Sequence, residues 1–347
     1  MNILVTGGGG FLGENVVTQL VERGERVRVF CRGDYPHIRA MGVDLVRGDL
    51  RDAQAVSDAC RGMDVVFHTA GLPGISVWRK PFYETNVVGT KNILAACFEH
   101  KIRKLIYTSS PSVTDGGKPQ LGVDESTPYP KKHLAWYPET KAIAERMVLA
   151  ANGKCDFNPA SPVSRDGLLT CSIRPHLLWG SGDRQLVPRL IERAKSGRLA
   201  QVGDGTNLID IAHVENAAKA HLLAMDALEF GSPVAASAYY ISQGEPVNCW
   251  QWVNRLLAIE GLPPVAKKIS FQSAWNHGAV FEAIYKMFGL TGEPPMTRFL
   301  STQLAQSYWF DISKARRELG YEAFVSTEEG IRRMIEDKKK SNSQLRQ

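Results

Sequence analysis

Asn2-Ile3-Leu4-Val5-Thr6-Gly7-Gly8-Gly9-Gly10-Phe11-Leu12-Gly13 is the stretch on which the fold turns. The apolar run Ile3-Leu4-Val5 predicts a buried strand. Four glycines end it, and Phe11-Leu12-Gly13 opens a helical pattern carried by Val16, Val17, Leu20 and Val21. A strand, a glycine turn and a helix start form a cradle for a pyrophosphate. Glycines admit close backbone approach, and the free N–H groups of a helix start favour negative charge. Two registers fit, Gly8-x-Gly10-x-x-Gly13 and Gly7-x-x-Gly10-x-x-Gly13. The motif indicates a nucleotide, not a reaction.

Outward from the cradle, strand and helix patterns alternate. Strands are predicted at 27–30, 44–47, 64–68 and 104–108, with helices over 52–61 and 82–100 between them. Such alternation implies right-handed crossovers and a doubly wound parallel α/β sheet, with the ligand at the carboxyl ends of the strands. Cys31-Arg32, Asp49-Leu50, Thr69-Ala70-Gly71 and Thr108-Ser109-Ser110 fall at such ends. Further strands are expected at 169–174 and 238–241, and helices at 186–196, 214–228 and 249–260. The stretch 152–167 reads as a turn-rich insertion. The expected division is a dinucleotide core over 1–180 with segments returning at about 205–245. A smaller mixed C-terminal lobe for the substrate takes 181–204 and 246–335, and a basic polar tail runs over 336–347.

The 347 residues are 44% hydrophobic and 22% charged, ordinary for a globular chain with a sizeable core. Of the net charge of +6, +4 lies in 332–347, where Arg332, Arg333, Lys338, Lys339, Lys340 and Arg346 face only Glu336 and Asp337. The body is therefore near neutral, the tail reads as solvated and frayed, and nucleic-acid binding is not expected. Cys31, Cys60, Cys97, Cys155, Cys171 and Cys249 are widely spaced, so neither a metal site nor a disulfide framework is expected. A first strand at residue 2 leaves no room for a leader, and no apolar run is long enough for a membrane span; a cytoplasmic location is expected.

Tyr137-Pro-Glu-Thr-Lys141 is the second informative stretch. Residues four apart share one helix face. A lysine beside a tyrosine favours the phenolate, so the tyrosine can exchange a proton nearer neutral pH. Moving a phenol from about 10 to about 7 takes on the order of 4 kcal/mol. The pair lies 27 residues after Ser110.

Together these features resemble the extended short-chain dehydrogenase/reductase family, from Met1 to about Tyr321. The matching stretches include Gly48-Asp49-Leu50, Asn86-Val87-Val88-Gly89-Thr90, Tyr107-Thr108-Ser109-Ser110, Tyr137-x-x-x-Lys141 and Ile173-Arg174-Pro175. Leu178-Trp179-Gly180-x-Gly182-Asp183, Asp210-Ile211-Ala212-His213-Val214-Glu215-Asn216 and Trp309-Phe310-Asp311 to Tyr321 look like the 3β-hydroxysteroid dehydrogenase branch. Arg32-Gly-Asp-Tyr-Pro and Thr108-Ser-Ser-Pro-Ser-Val113-Thr are most similar to the bacterial reductases of 2-alkyl-3-oxoalkanoates in olefin synthesis. The 152–167 insertion and His213 depart from the branch pattern.

The resemblance implies an NAD(P)-dependent Rossmann-type oxidoreductase interconverting a ketone and a secondary alcohol, with pro-S hydride transfer. It implies Tyr137 as acid/base, Lys141 on the nicotinamide ribose, Ser110 on the reacting oxygen, and Asn86 holding a water or backbone in the proton relay. Gly7, Gly10, Phe11, Leu12, Gly13, Arg32, Asp49, Leu50, Thr69, Ala70, Gly71, Thr108 and Pro175 are the expected cofactor contacts, with Asp49 and Leu50 at the adenine.

Cys31 stands where an NAD-preferring site carries an acid, and Arg32 follows. A guanidinium there can pair with a 2′-phosphate, so NADP is favoured, with NAD as the alternative. Trp78, Ser112, Trp136 and Trp179 are the candidate substrate contacts. Phe281, Ile284, Tyr285 and Phe288 form an apolar stripe with Glu282 and Lys286 opposite; it fits core, a lid or an interfacial membrane contact. A homodimer is left open. The substrate expected is a hydrophobic small molecule, at best a 2-alkyl-3-oxoalkanoate. A 3β-hydroxysteroid or 4-carboxysterol, a nucleotide sugar, and a non-catalytic dinucleotide sensor are the alternatives.

Overall fold

The computed structural model describes residues 1–158 and 160–344. Its centre is a seven-stranded sheet. Five strands come from the N-terminal third: β1 (Asn2–Thr6), β2 (Arg26–Cys31), β3 (Asp44–Arg47), β4 (Val65–His68) and β5 (Lys104–Thr108). Leu169–Pro175 and Ala238–Ile241 extend it beyond β5, so the order from one edge is Ala238–Ile241, Leu169–Pro175, β5, β4, β1, β2, β3. Every pairing is parallel. The strand order reverses between β1 and β4, which opens a crevice at their carboxyl ends.

Both faces of the sheet are packed, which explains why its strands are continuous apolar runs rather than alternating ones. On one face Ile3, Val5 and Ile106 meet helix Phe11–Glu22 (α1) through Val16, Val17 and Leu20, and helix Val214–Ala227 through Ala217 and Ala220. On the other, Leu4, Val66 and Leu105 meet Val56, Ile93, Leu94 and Val148. Ile312, Ala315, Leu319 and Tyr321 also pack into the first of these layers, so the chain returns to the sheet near its C-terminal end.

A second, mixed sheet was not foreseen. It runs Val247–Asn248, Leu208–Ile209, Tyr308–Phe310, Gln120–Val123. Its segment Gln120–Val123 comes from the N-terminal half and pairs in parallel with Tyr308–Phe310. Beside it a separate apolar cluster gathers Trp179, Trp250, Trp252, Val253, Leu256 and Leu257.

Three expectations need correction. The basic tail is a helix, Thr327–Gln344. Arg333 pairs with Glu215 at 2.8 Å, and Lys338 pairs with Glu260 at 3.0 Å and donates to the Ile259 carbonyl at 2.7 Å; residues 345–347 lie outside the described residues. Within helix Phe271–Met287, Glu282 is not on a solvated face but buried, bonded to Arg298 at 2.7 Å. Phe288, assigned to the apolar stripe, is 66% exposed, while Ile284 and Tyr285 are half-buried. The 152–167 insertion is tied down by antiparallel bridging of Lys154 to Leu168 and packs Phe157 edge-on to Phe98. No helix among the described residues is long and apolar enough to cross a membrane.

Candidate active site

The glycine turn is built for close approach. Gly7 has φ +72°, and a Cβ there would meet the Ala70 backbone at 2.8 Å; a Cβ at Gly13 would overlap the Gly7 carbonyl. The turn closes through Gly10 N–H to the Gly7 carbonyl, 2.8 Å. Gly10 caps α1 without a side-chain acceptor, which leaves the first-turn N–H groups without a capping side chain, and Phe11, Leu12 and Gly13 line the crevice. Thr69 Oγ1 donates to the Thr6 carbonyl at 2.7 Å, and Ala70 N–H donates to Thr6 Oγ1 at 3.3 Å, locking the ends of β1 and β4 together.

From this turn a cavity of ≈960 Å³ runs across the strand ends into the second sheet. It brings together Gly7, Gly10, Phe11, Leu12, Gly13, Arg32, Asp49, Leu50, Thr69, Ala70, Gly71, Thr108, Ser110, Ser112, Tyr137, Lys141 and Pro175. The glycines, the open helix start and the length of the cleft fit a dinucleotide. Asp49 is held by Arg51 through two bonds of 3.0 and 2.8 Å, which keeps its carboxyl down at about 2.

Tyr137 and Lys141 project from the first turns of helix Trp136–Ala150. Lys141 is almost fully buried. Its Nζ donates to the Thr108 carbonyl at 2.5 Å and lies 4.1 Å from the Tyr107 ring centroid. Burial pushes its ammonium down to about 7, and the Glu145 carboxylate one turn further on opposes that shift. Burial raises the Tyr137 phenol above its ordinary value, and its hydrogen bond with Ser110 pulls it back. The Ser110 hydroxyl sits 2.9 Å from Ser112 Oγ, at the start of the 3₁₀ turn Pro111–Thr114.

Asn86 lies in a π-helical turn, Tyr83–Val88, inside an otherwise α-helical run. Its amide accepts from Leu72 N–H at 2.7 Å and donates to the Leu72 carbonyl and to Thr140 Oγ1, both at 3.1 Å. It therefore joins the loop after β4 to the helix carrying Tyr137. A Cβ at Gly71 would sit 3.4 Å from Asn86 Oδ1 and 3.8 Å from Lys141 Nζ, so these two polar ends border one spot.

The tryptophans do not line this cleft. Trp179 is fully buried, edge-on to His213 and Trp252. Trp78 is 37% exposed and donates to the Leu290 carbonyl at 2.8 Å. Trp136 lines a second cavity. Sequence reasoning gave no site role to His68, Glu145 or Arg174. His68 bridges Thr6 Oγ1 (2.8 Å) and Thr90 Oγ1 (3.0 Å), and Thr90 in turn donates to the Asn86 carbonyl (2.6 Å). The strand-end His and the carboxylate four residues after Lys141 were the available signals.

A dinucleotide cradle opening onto a half-buried tyrosine and a buried lysine defines a nicotinamide-dependent oxidoreductase acting on CH–OH groups. The sequence model of the 3-beta hydroxysteroid dehydrogenase/isomerase family matches residues 4–271, and the chain belongs to that family. It is 48% identical over 337 residues to a 2-alkyl-3-oxoalkanoate reductase of Stenotrophomonas maltophilia, covering 96% of this chain and 98% of that one. It is 37% identical over 356 residues to 3beta-hydroxysteroid-dehydrogenase/decarboxylase isoform 1 of Arabidopsis thaliana, covering 96% and 78%. Among solved structures it is similar to MoeE5 in complex with UDP-glucose and NAD, with TM-score 0.73, 26% identity and coverage of 98% and 99%.

Proposed function

We propose that the protein reduces 2-alkyl-3-oxoalkanoates to the 3-hydroxy acids with NADPH. One observation above all supports this reading. Ser110, Tyr137 and Lys141 border the same continuous cavity as the glycine turn, and beyond them its walls include Pro175, Leu177, Leu178, Leu186, Phe299 and Leu300. An apolar wall suits a hydrocarbon chain better than a nucleotide sugar. The 48% identity to a reductase of that name over nearly the whole chain supports the same choice.

When bound, the reduced nicotinamide supplies the hydride. The chain's own residues do the rest. Ser110 donates a hydrogen bond to the ketone oxygen and fixes it beside Tyr137. Tyr137 gives its proton to that oxygen as the carbon is reduced, acting as general acid. Lys141, anchored on the Thr108 carbonyl, holds the cofactor ribose and keeps positive charge near the phenol. Asn86 positions the loop at Leu72 and the helix at Thr140.

The NADPH preference rests on charge at the ends of β2 and β3. The position after Phe30 is a buried Cys31 rather than an acid, and Arg32 is exposed at the cleft. The nearby carboxylates are engaged, Asp34 by Arg39 at 2.9 Å and Asp49 by Arg51 at 2.8 Å. A 2′-phosphate therefore meets arginines and no free acid. The test is cofactor fluorescence and absorbance with long-chain 2-alkyl-3-oxoalkanoates set against 4-carboxysterols. Turnover of the first set supports the reading, and turnover of sterols alone overturns it.

A further inference from the structure

A second cavity of ≈330 Å³ adjoins the catalytic one, within the usual range for ligand pockets of roughly 300–1,000 Å³. Three pieces of chain serve both. Leu72 and Pro73 line the catalytic cleft, and Ile75, Ser76 and Val77 line the second cavity. At the start of helix Trp136–Ala150, Tyr137 lines the first and Trp136 the second. Phe299 lines both, so the two cavities meet at its side chain.

The second cavity has one apolar wall and, around it, polar residues that include Ser76 and Thr297. Its apolar wall is Ile75, Val77, Leu134, Trp136 and Phe299. The polar end of Trp136 is used up, since Nε1 donates to the Val77 carbonyl at 2.8 Å. Glu282 and Arg298 in its lining neutralise one another at 2.7 Å, and Glu139 is paired with Arg79 at 3.1 Å. Lys132 and Lys286 are exposed and line the cavity, where long side chains can lay their methylene stems along apolar surface. His133 bonds the Val113 carbonyl at 3.0 Å, tying this wall to the turn that carries Ser110.

We infer that the second cavity receives the alkyl branch at C2 of the substrate, while the chain beyond C3 lies in the catalytic cleft, the branch turning past Phe299 where the two cavities meet. This rests on the substrate reading above. That substrate carries two hydrocarbon chains that diverge one carbon from the reacting carbonyl. A carbonyl held between Ser110 and Tyr137 leaves one chain in the main cleft and needs a second apolar slot beside Tyr137 for the other. A rigid fused-ring sterol has no such pair of chains and makes no use of the slot.

The test runs on the stable 3-hydroxy acids in the oxidising direction, with NADP⁺ reduction as readout. The hydride leaves C3 for the nicotinamide, and the hydroxyl proton passes to the Tyr137 phenolate, which becomes the phenol. Wild-type protein, Ile75→Trp and Phe299→Ala are compared on 3-hydroxy acids without a C2 branch and with alkyl branches of increasing length. Ile75→Trp fills the slot, and kcat/KM for branched over unbranched acids should fall roughly ten-fold or more, the scale of misfitting a hydrocarbon pocket. Phe299→Ala widens the junction of the two cavities and should extend the accepted branch length. NADPH fluorescence checks that each variant is folded. Branched-to-unbranched ratios unchanged in both variants overturn the assignment. Wild-type protein that turns over no C2-branched acid overturns the substrate reading, and the slot's assignment with it.

Discussion

Glu145 stands one helical turn beyond Lys141 and is itself clamped by Arg174 at 2.6 and 3.0 Å, with Ser172 and Tyr129 donating to it at 2.7 Å. Its carboxyl is held below the ordinary range by Arg174, so a buried negative charge persists behind a buried lysine. Lys141 titrates near 7 rather than 10.5, so its charge is lost as pH rises through that value. Removing the negative charge lowers it further. Glu145→Gln should therefore shift the alkaline limb of the kcat–pH profile to lower pH, and Glu145→Asp should restore it. A profile that does not move in Glu145→Gln would mean the carboxylate is only structural. Because the unfolded lysine keeps its proton up to about 10.5, Lys141 also makes stability rise with pH between about 7 and 10.5.

Asn86→Ala leaves the Leu72 N–H and Thr140 Oγ1 without their partner. An unsatisfied buried donor costs about 1–3 kcal/mol. Urea denaturation should report a loss of that size. KM for the ketone should rise with kcat falling, because the loop at Leu72 and the helix at Tyr137 lose their shared anchor.

Trp179 packs edge-on to Trp252 and His213, and Gly330 approaches it so closely that a Cβ there would sit 2.6 Å from its ring. Trp179→Phe should cost at least about 1 kcal/mol through lost aromatic contact and a residual void. Substrate KM should stay unchanged; a KM effect without a stability effect would place Trp179 at the substrate after all.

Arg32→Ala should weaken NADPH about 10–100-fold, the cost of losing one charged hydrogen-bond partner of roughly 1.5–3 kcal/mol, and leave NADH nearly unaffected. Fluorescence titration of both cofactors checks this, and equal losses would refute the 2′-phosphate assignment.

The main sheet was legible because its strands are short apolar runs buried on both faces, each closed by glycine or polar residues, with helical patterns between them. The helix over 82–100 was legible too, but not its π-helical turn at Asn86, where the side chain bonds Leu72 and Thr140 from distant parts of the chain. The second sheet was not legible. Leu208–Ile209 and Val247–Asn248 are too short to show a period, and Gln120–Val123 finds its partner near residue 309. Trp179 and Glu282 were misplaced for the same reason. Whether a tryptophan is core or a glutamate is buried depends on Trp252 and Arg298, which only the folded chain brings to them. The glycine turn and the Tyr137–Lys141 pair needed only local spacing, and they fall on one cleft.

The most direct measurement of the central claim is single-turnover reduction of a 2-alkyl-3-oxoalkanoate by Tyr137→Phe beside wild-type protein, with NADPH affinity measured on the same samples. The phenol's proton is the group removed, and a general acid contributes roughly 10²–10⁴-fold. Turnover lower by that factor with NADPH binding intact is the predicted result. Turnover within a few-fold of wild type would contradict the assignment of Tyr137 as the proton donor.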